Sequence, residues 1–514
     1  MTQNERRSLP IWKRFLTVVL TLFVFAIQIS LFALMFEINF NNQLNIVLYL
    51  IIELIGLLLV IHIIHKPILT SYKLTWSILI LVMPLPFSLF YLLNSRSRKL
   101  PAYKQKKIDK VFEKFSVENG VIEQLERMDP NAAKHAKVIH SCTDFPLYKN
   151  TKYTFLNDGK TKFDDFIEEV KKAEKYIFIE TFILSEGYIL SHLLPILKEK
   201  GQAGVEIKII YDDLGSKATL KAKSIKQITE IPNCQVTNYN PLGLSINPAF
   251  NYRDHRKIIV IDGKIAYCGG DNLADEYIHL KQRFGFWRDN CGKYEGEAVY
   301  SFVSLFIEMW FMSTRTILKL ENYYVRQQIS KESSFVMPFG DGPSVTSNVG
   351  YDVFRSLITS ADKTLYISTP YLVIDNSLLE SIVLAARSGV DVRILMPGIP
   401  DKKTAFYLAR SQYRDILKAG GKIYEFTKGF NHAKNIIVDN KYAFIGTINM
   451  DYRSMFLHYE CGALILLDDE IHKMQEDFLE ACKESKLVKY EEWKKRSKWQ
   501  RFIAYILYLF SPLF

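Results

Sequence analysis

The sequence predicts an α/β protein of two like halves, packed with pseudo-twofold symmetry and preceded by N-terminal transmembrane helices. Three observations predict it. The motif H-x-K-x4-D occurs twice, as His255-Arg-Lys257-Ile-Ile-Val-Ile-Asp262 and as His432-Ala-Lys434-Asn-Ile-Ile-Val-Asp439. Each copy is followed at the same offset by a glycine-led phrase, Gly269-Gly-Asp-Asn272 or Gly446-Thr-Ile-Asn449, and each follows an alternation of helix and strand patterns. Ahead of both lie three apolar runs, each long enough to cross a hydrocarbon core of about 30 Å.

Residues 1–100 form the expected membrane region, with runs at Phe15–Phe36, Ile46–Ile64 and Leu74–Leu93. The first is apolar on every face, which fits lipid on all sides. Arg6, Arg7, Lys13 and Arg14 precede it and favour a cytoplasmic N-terminus. Arg96, Arg98, Lys99, Lys104, Lys106 and Lys107 follow the third run and also favour the cytoplasm. Three full crossings would put that cluster outside. Either Pro84 and Pro86 break the third run into a re-entrant hairpin, or the first run does not span. Both keep the catalytic part cytoplasmic, in a multi-pass protein of the cell membrane. At the other end, residues 491–514 join Trp493, Lys494, Lys495, Arg496, Lys498, Trp499 and Arg501 to a short apolar tail. A cationic and aromatic rim of this kind reads as an anchor on an anionic membrane surface, or as a terminal helix docked on the protein.

Between these ends the chain divides into halves at 101–335 and 336–490, with a seam expected at 332–345 around Pro338, Gly340, Gly342 and Pro343. In the first half a helix face over Phe163–Val170, a strand at Lys175–Thr181, a helix through Leu190–Lys198 and a strand at Gly204–Asp212 follow in order. The second half repeats them at Tyr351–Ile358, Lys363–Thr369, Ser377–Arg387 and Gly389–Met396. The six cysteines show no C-x-x-C pair, so the sequence offers no zinc or disulfide framework and fits reduced thiols. A net charge of +11 calls for an anionic partner, and the apolar runs favour lipid over nucleic acid.

On an extended strand His255 and Lys257 share a face, as do His432 and Lys434. A neutral imidazole beside a fixed ammonium suits attack on a phosphodiester, the ammonium neutralising the non-bridging oxygens. Asn272 and Asn449, on turns after the next strand, can donate to the same oxygens. Two such sets at one site supply a nucleophile and a general acid and base, without a metal or other cofactor. Each imidazole needs an acceptor on its second nitrogen. Glu460, 28 residues after His432, is the candidate in the second half; Arg283 stands at that offset in the first, so an insertion is implied and Asp289 is the substitute. Asp262 and Asp439 complete the candidate catalytic set, although their Asp-Gly and Asp-Asn turns at the far strand ends favour a structural part. His62, His65, His192 and His279 read as solvated or satisfied polar groups.

These phrases resemble the phospholipase D superfamily, which pairs two H-x-K-x4-D motifs across one site, and so the two halves are expected to be phospholipase D-like. Asn251-Tyr-Arg-Asp-His255, Gly269–Tyr277, Phe286-Trp-Arg-Asp289, Thr369-Pro-Tyr371, Asn431-His-Ala-Lys434 and Gly446–Ser454 are similar to bacterial cardiolipin synthases of that type. The likeness runs from about Lys66 to the C-terminus; the run at 15–36, Asp271 and Ala274 depart from the usual pattern. The resemblance implies exchange between two phosphatidylglycerol molecules, giving cardiolipin and glycerol through a phosphohistidine, with His255 as nucleophile and His432 as acid and base, roles the symmetric set would also allow reversed. A phospholipase D hydrolase and a phosphatidylserine synthase use the same constellation with another acceptor. A nuclease or a membrane scaffold fits the sequence less well.

Overall fold

The computed structural model describes residues 26, 30, 43–66, 68–95, 120–241, 251–325, 335–343, 345 and 347–513. The run at 15–36, apart from residues 26 and 30, and the basic cluster at 96–107 lie outside them. The chain divides into two units. One comprises the described residues up to 95, Asn251 and 506–513; the other comprises 120–241 and 252–505.

In the first unit the helix Gln43–His65 is the one helix among the described residues long and apolar enough to cross a membrane. Its apolar side chains Leu50, Leu54, Ile55, Leu58 and Ile64 are exposed, which water would oppose and lipid would not. Lys73 Nζ donates to the Ile64 carbonyl at 2.8 Å and so places a cation at the negative helix end. The third apolar run is not one helix. It breaks at Met83 into Thr70–Val82 and Pro84–Ser95, because Pro84 and Pro86 fit a first helical turn but not a helix interior. At 13 and 12 residues neither piece spans about 30 Å. They form a hairpin closed by Trp76 on Tyr91, edge to face at 5.4 Å. Residues 506–513 join this unit, and the Thr75 hydroxyl donates to the Leu509 carbonyl at 2.6 Å.

The second unit holds two large sheets and two short two-stranded ones. In the first half the strands are β1 (Thr151–Leu156), β2 (Tyr176–Thr181), β3 (Glu206–Asp212), β4 (Cys234–Tyr239), β5 (Ile258–Ile261), β6 (Ile265–Gly269), β7 (Phe286–Arg288) and β8 (Cys291–Gly296). In the second they are β9 (Phe335–Asp341), β10 (Thr364–Ser368), β11 (Leu372–Val373), β12 (Asp391–Pro397), β13 (Lys422–Phe426), β14 (Gly429–Asn431), β15 (Asn435–Val438), β16 (Tyr442–Gly446), β17 (Met450–Asp451), β18 (Glu460–Leu466) and β19 (Ser485–Leu487). The first sheet runs β1-β8-β6-β5-β2-β3-β4 and the second β9-β18-β16-β15-β10-β12-β13-β19. Apart from the added edge strand β19 the two orders are the same, so the sequence repeat is a repeat of topology.

The Ile-rich strands β2, β3 and β5 are buried on both faces along almost all their length, as strands covered by helices must be. The helices Gly159–Lys172, Tyr188–Gln202 and Ala222–Thr229 pack Phe166, Leu193, Leu197 and Ile228 onto the first sheet. Val299–Thr314, apolar but for a few serines and Glu308, is buried except at Tyr300 and Thr314 and is a core helix. The expected seam at 332–345 is only partly a connection, because 335–341 form the edge strand β9. Pro338 is tolerated there, since an edge strand leaves one row of backbone groups unpaired.

Asp262 and Asp439 both sit at φ +53° just past β5 and β15, where a short polar side chain is among the few that tolerate the left-handed turn. The Asp262 carboxylate accepts from the backbone N–H groups of Glu174, Lys175 and Tyr176 at 2.7–2.9 Å, and Asp439 from those of Asp362, Lys363 and Thr364 over the same range. They lock the turn to the start of the neighbouring strand and point away from the histidines. Their place in the candidate catalytic set is therefore corrected to a structural one. Removing the buried Asp262 carboxylate leaves three donors unmet, so Asp262→Ala should destabilise the protein by about 2–4 kcal/mol. Denaturant unfolding should show that loss while the folded fraction keeps its activity; abolished activity at unchanged stability would restore a catalytic role.

Candidate active site

The two motif histidines do not lie within strands. His255 and Lys257 precede β5, and His432 and Lys434 precede β15, in extended lead-in segments. Each lead-in is clamped by the opposite half. The His255 N–H donates to the Tyr459 carbonyl at 2.9 Å, and the His432 N–H donates to the Arg288 carbonyl at 2.7 Å. Beside the latter, β14 pairs in parallel with β7, placing Phe430 against Trp287. A Cβ on Gly429 would meet the Phe286 carbonyl oxygen at 2.0 Å, so this strand pair closes only with glycine there.

Buried ion pairs fix the first lead-in. Arg253 Nε and Nη2 donate to Asp212 at 2.7–3.0 Å, and Arg256 reaches Glu308 at 2.8 Å and the Glu460 carbonyl at 3.1 Å. In the second, the Asn431 amide donates to Ser368 Oγ at 3.0 Å and to the Leu395 carbonyl at 3.1 Å.

The clamp delivers each imidazole to a carboxylate of the other half. His255 Nδ1 lies 2.9 and 3.0 Å from the two oxygens of Glu460, and His432 Nδ1 lies 2.6 Å from Asp289 Oδ2. Glu460 and Asp289 are the two residues expected as acceptors. Their partners are exchanged: the expectation that each half would orient its own histidine is corrected, because the segment bearing each acceptor faces the opposite lead-in. Register makes the two acceptors equivalent, since Gly269 pairs with Cys291 and Gly446 with Gly462, each two residues past the acceptor. The insertion inferred in the first half is the segment after Asn272 that carries the turn Asp275–Ile278 and β7. Gly270 makes room for the acceptor, because a Cβ there would meet Asp289 Oδ1 at 2.1 Å.

Lys257 Nζ donates to the His255 carbonyl at 2.5 Å and Lys434 Nζ to the His432 carbonyl, so each ammonium is tethered beside its ring. Burial, reinforced by Lys257 and Lys434, holds the His255 imidazole well below its ordinary value. Burial and the same two lysines act likewise on His432. Both motifs therefore share one electrostatic field. Burial also pushes Lys434 down to about 7 and lowers Lys257, while it raises Glu460 and Asp289. The lysine charges favour the carboxylates and oppose imidazolium, so the resting pairs are neutral rings hydrogen-bonded to carboxylates.

Asn272 is already engaged, accepting from the Ile183 N–H at 3.0 Å and donating to the Tyr277 hydroxyl at 2.5 Å. It braces Tyr277, whose ring lies 5.6 Å from that of His432. The Asn449 side-chain amide oxygen Oδ1 is buried without a hydrogen-bond partner among the described residues. Trp287 and Phe430 complete an aromatic wall at 5.3 and 5.7 Å from His432. Against His255 stand Phe182 at 5.0 Å and His458 at 5.5 Å. Sequence reasoning missed His458, although it stands two residues before Glu460, the spacing that puts both side chains on one face of an extended segment. Among the described residues, His255, His458 and Glu460 each bring one ligand atom within 4.8 Å of the others. The Glu460 carboxylate is committed in that group to His255 and, through a short bond, to the Thr447 hydroxyl.

The family described as cardiolipin synthase, PLD-like domain, matches residues 166–299 and 354–482, one stretch in each half. An uncharacterized protein of Streptococcus mutans is 36% identical over 459 residues, 88% of this chain and 99% of that protein. A cardiolipin synthase of Halalkalibacterium halodurans is 34% identical over 446 residues, 86% of this chain and 88% of its own length. Among solved structures, a phosphatidylserine synthase of Haemophilus influenzae shares the fold at a TM-score of 0.56 and 18% identity, over 74% of this chain and 98% of that one. With both halves matched and a named synthase aligned along most of the length, the chain belongs to the cardiolipin synthase family of phospholipase D-like proteins.

Proposed function

We propose that this chain is a phosphatidyltransferase that makes cardiolipin and glycerol from two molecules of phosphatidylglycerol. The observation that carries the reading is the pair of crossed imidazole–carboxylate bonds set in the common field of Lys257 and Lys434. His255 Nε2, turned outward by the Nδ1 bond to Glu460, attacks phosphorus; the bond from phosphorus to the glycerol oxygen breaks, and His432 gives that oxygen its proton. Glycerol leaves. His432 then takes the proton of a hydroxyl on the second phosphatidylglycerol, that oxygen attacks phosphorus, the phosphorus–nitrogen bond breaks, and His255 is free again. The bound phosphodiester anion offsets the lysine charges and raises the proton affinity of His432, which takes up a proton from solvent as the substrate binds, and Asp289 stabilises the resulting imidazolium. The lysines oppose charge build-up on the non-bridging oxygens, and the unpartnered Asn449 oxygen can receive an acceptor hydroxyl.

Membrane attachment through the helix Gln43–His65 supports the substrate class, since both lipids stay in the bilayer. In this reading residues 1–100 are a multi-pass membrane region and the hairpin re-enters. The halves 101–335 and 336–490 work at the cytoplasmic face, and the aromatic row Trp499, Phe502 and Tyr505, exposed on the helix Lys498–Phe510, rests in the headgroup layer.

Purified protein in detergent, given phosphatidylglycerol, should release cardiolipin and glycerol in equal amounts; phosphatidic acid as the sole lipid product would make it a hydrolase instead. His255→Asn and His432→Asn should each lower turnover by about 10³-fold or more. The crossed bonds separate the two orienting variants. Glu460→Gln should chiefly slow formation of the trapped phosphoenzyme, whereas Asp289→Asn, which loosens the ring that acts in both steps, should slow its formation and its breakdown alike; the opposite pattern would exchange the two histidine roles. Because Lys434 in the free enzyme loses its charge as pH rises through about 7, kcat/KM for phosphatidylglycerol should fall above that value. The limb in kcat should lie higher, since bound phosphate holds the ammonium. A kcat/KM flat from about pH 6 to 9 would contradict this account of the cation.

A further inference from the structure

The pseudo-twofold site is broken at one informative position. Two residues before the Asp289 acceptor stands Trp287, with its ring 5.3 Å from His432. Two residues before the Glu460 acceptor stands His458, with its ring 5.5 Å from His255. An indole on one side is thus replaced by an imidazole on the other. His458 is nine-tenths buried, and neither ring nitrogen has a hydrogen-bond partner among the described residues. Its Nδ1 lies 3.7 Å from Glu460 Oε1, the oxygen that also faces His255 Nδ1 at 2.9 Å. A buried ring with both nitrogens unmet is costly, and a chain that needed only packing there would be better served by an apolar ring.

We propose that His458 is a positioning residue that acts through Glu460 to keep His255 the uncharged, nucleophilic imidazole of the pair. A second imidazole whose Nδ1 stands 3.7 Å from the Glu460 carboxylate draws off part of its negative charge when it carries its proton on that nitrogen, so Glu460 supports an imidazolium at His255 less well. Asp289 carries no such second imidazole and holds His432 by a shorter bond of 2.6 Å, which suits the ring that must carry a proton during transfer. The neighbouring charges act alongside. Lys257, Lys434, His432 and Asp451 face His255, Arg453 and His255 face His458, and Asp341 and Lys257 face Glu460. The inference rests on the proposed two-histidine exchange and goes beyond it by naming what makes the two rings unequal.

The test compares His458→Phe, which keeps the ring and removes both nitrogens, with His458→Asn, which restores an N–H donor. The acidic limb of kcat/KM reports protonation of the attacking imidazole in the free enzyme. It is read from total phosphatidylglycerol consumed, whichever acceptor takes the phosphatidyl group, so a failure to make cardiolipin would sink the proposed function without affecting this comparison. Removing the second donor strengthens the hold of Glu460 on imidazolium. His458→Phe should therefore shift the acidic limb upward by about 0.5–1 pH unit, with a melting temperature equal to or above wild type, and His458→Asn should return the limb toward wild type. An unmoved limb in His458→Phe, with activity lowered equally at every pH or not at all, would overturn the proposal. So would a limb shifted equally in both variants.

Discussion

Two hydrogen bonds, His255 to Glu460 and His432 to Asp289, organise the site, and each runs from one half of the molecule to the other. Each half supplies a ring that its partner orients and a carboxylate that its partner's ring requires. A single half therefore holds an imidazole without its acceptor and a carboxylate left with only a local donor, the Thr447 hydroxyl for Glu460 or the Asn290 N–H for Asp289, an arrangement that is costly in a low-dielectric interior. The duplicated topology follows from this constraint. The acceptor segment and the histidine lead-in must meet twice, and two halves of like topology meet both demands.

The electrostatics follow from burying that constellation. Rings, lysines and carboxylates all lie within a tenth of full burial, and each is pushed toward its neutral form. What keeps charge in the site is the mutual support of two ammonium groups and two carboxylates. A bound phosphodiester adds the anion for which the ammonium pair is prepared. In the proposed exchange, the charge that attracts the phosphodiester would also reset the proton affinities of the groups that act on it.

Much of this was legible in the sequence. Equal offsets to Asp and Asn revealed the repeat, and hydrophobic runs of alternating period located the strands and helices of both halves. Asp289 and Glu460 could be named because an imidazole needs an acceptor and few carboxylates stood at suitable distances along the chain. Which histidine each one serves was not legible. A crossed pairing depends on how two sheets face each other, and spacing within one half carries no information about that. His458 escaped notice because an isolated histidine is usually a satisfied core or surface group, and only its place beside Glu460 and opposite Trp287 gives it meaning. The break at Met83 was readable from Pro84 and Pro86, whereas the strand at 335–341 was hidden under the proline and glycines that looked like a connection.

The crossed bonds are open to direct observation. In protein carrying ¹⁵N-labelled histidine, each Nδ1–H that donates to a buried carboxylate gives a downfield proton resonance, and replacing the carboxylate by its amide moves that resonance alone. The account predicts that Glu460→Gln displaces the His255 signal and leaves His432 in place, and that Asp289→Asn does the reverse. A His255 signal that responds to Asp289→Asn and ignores Glu460→Gln would contradict it.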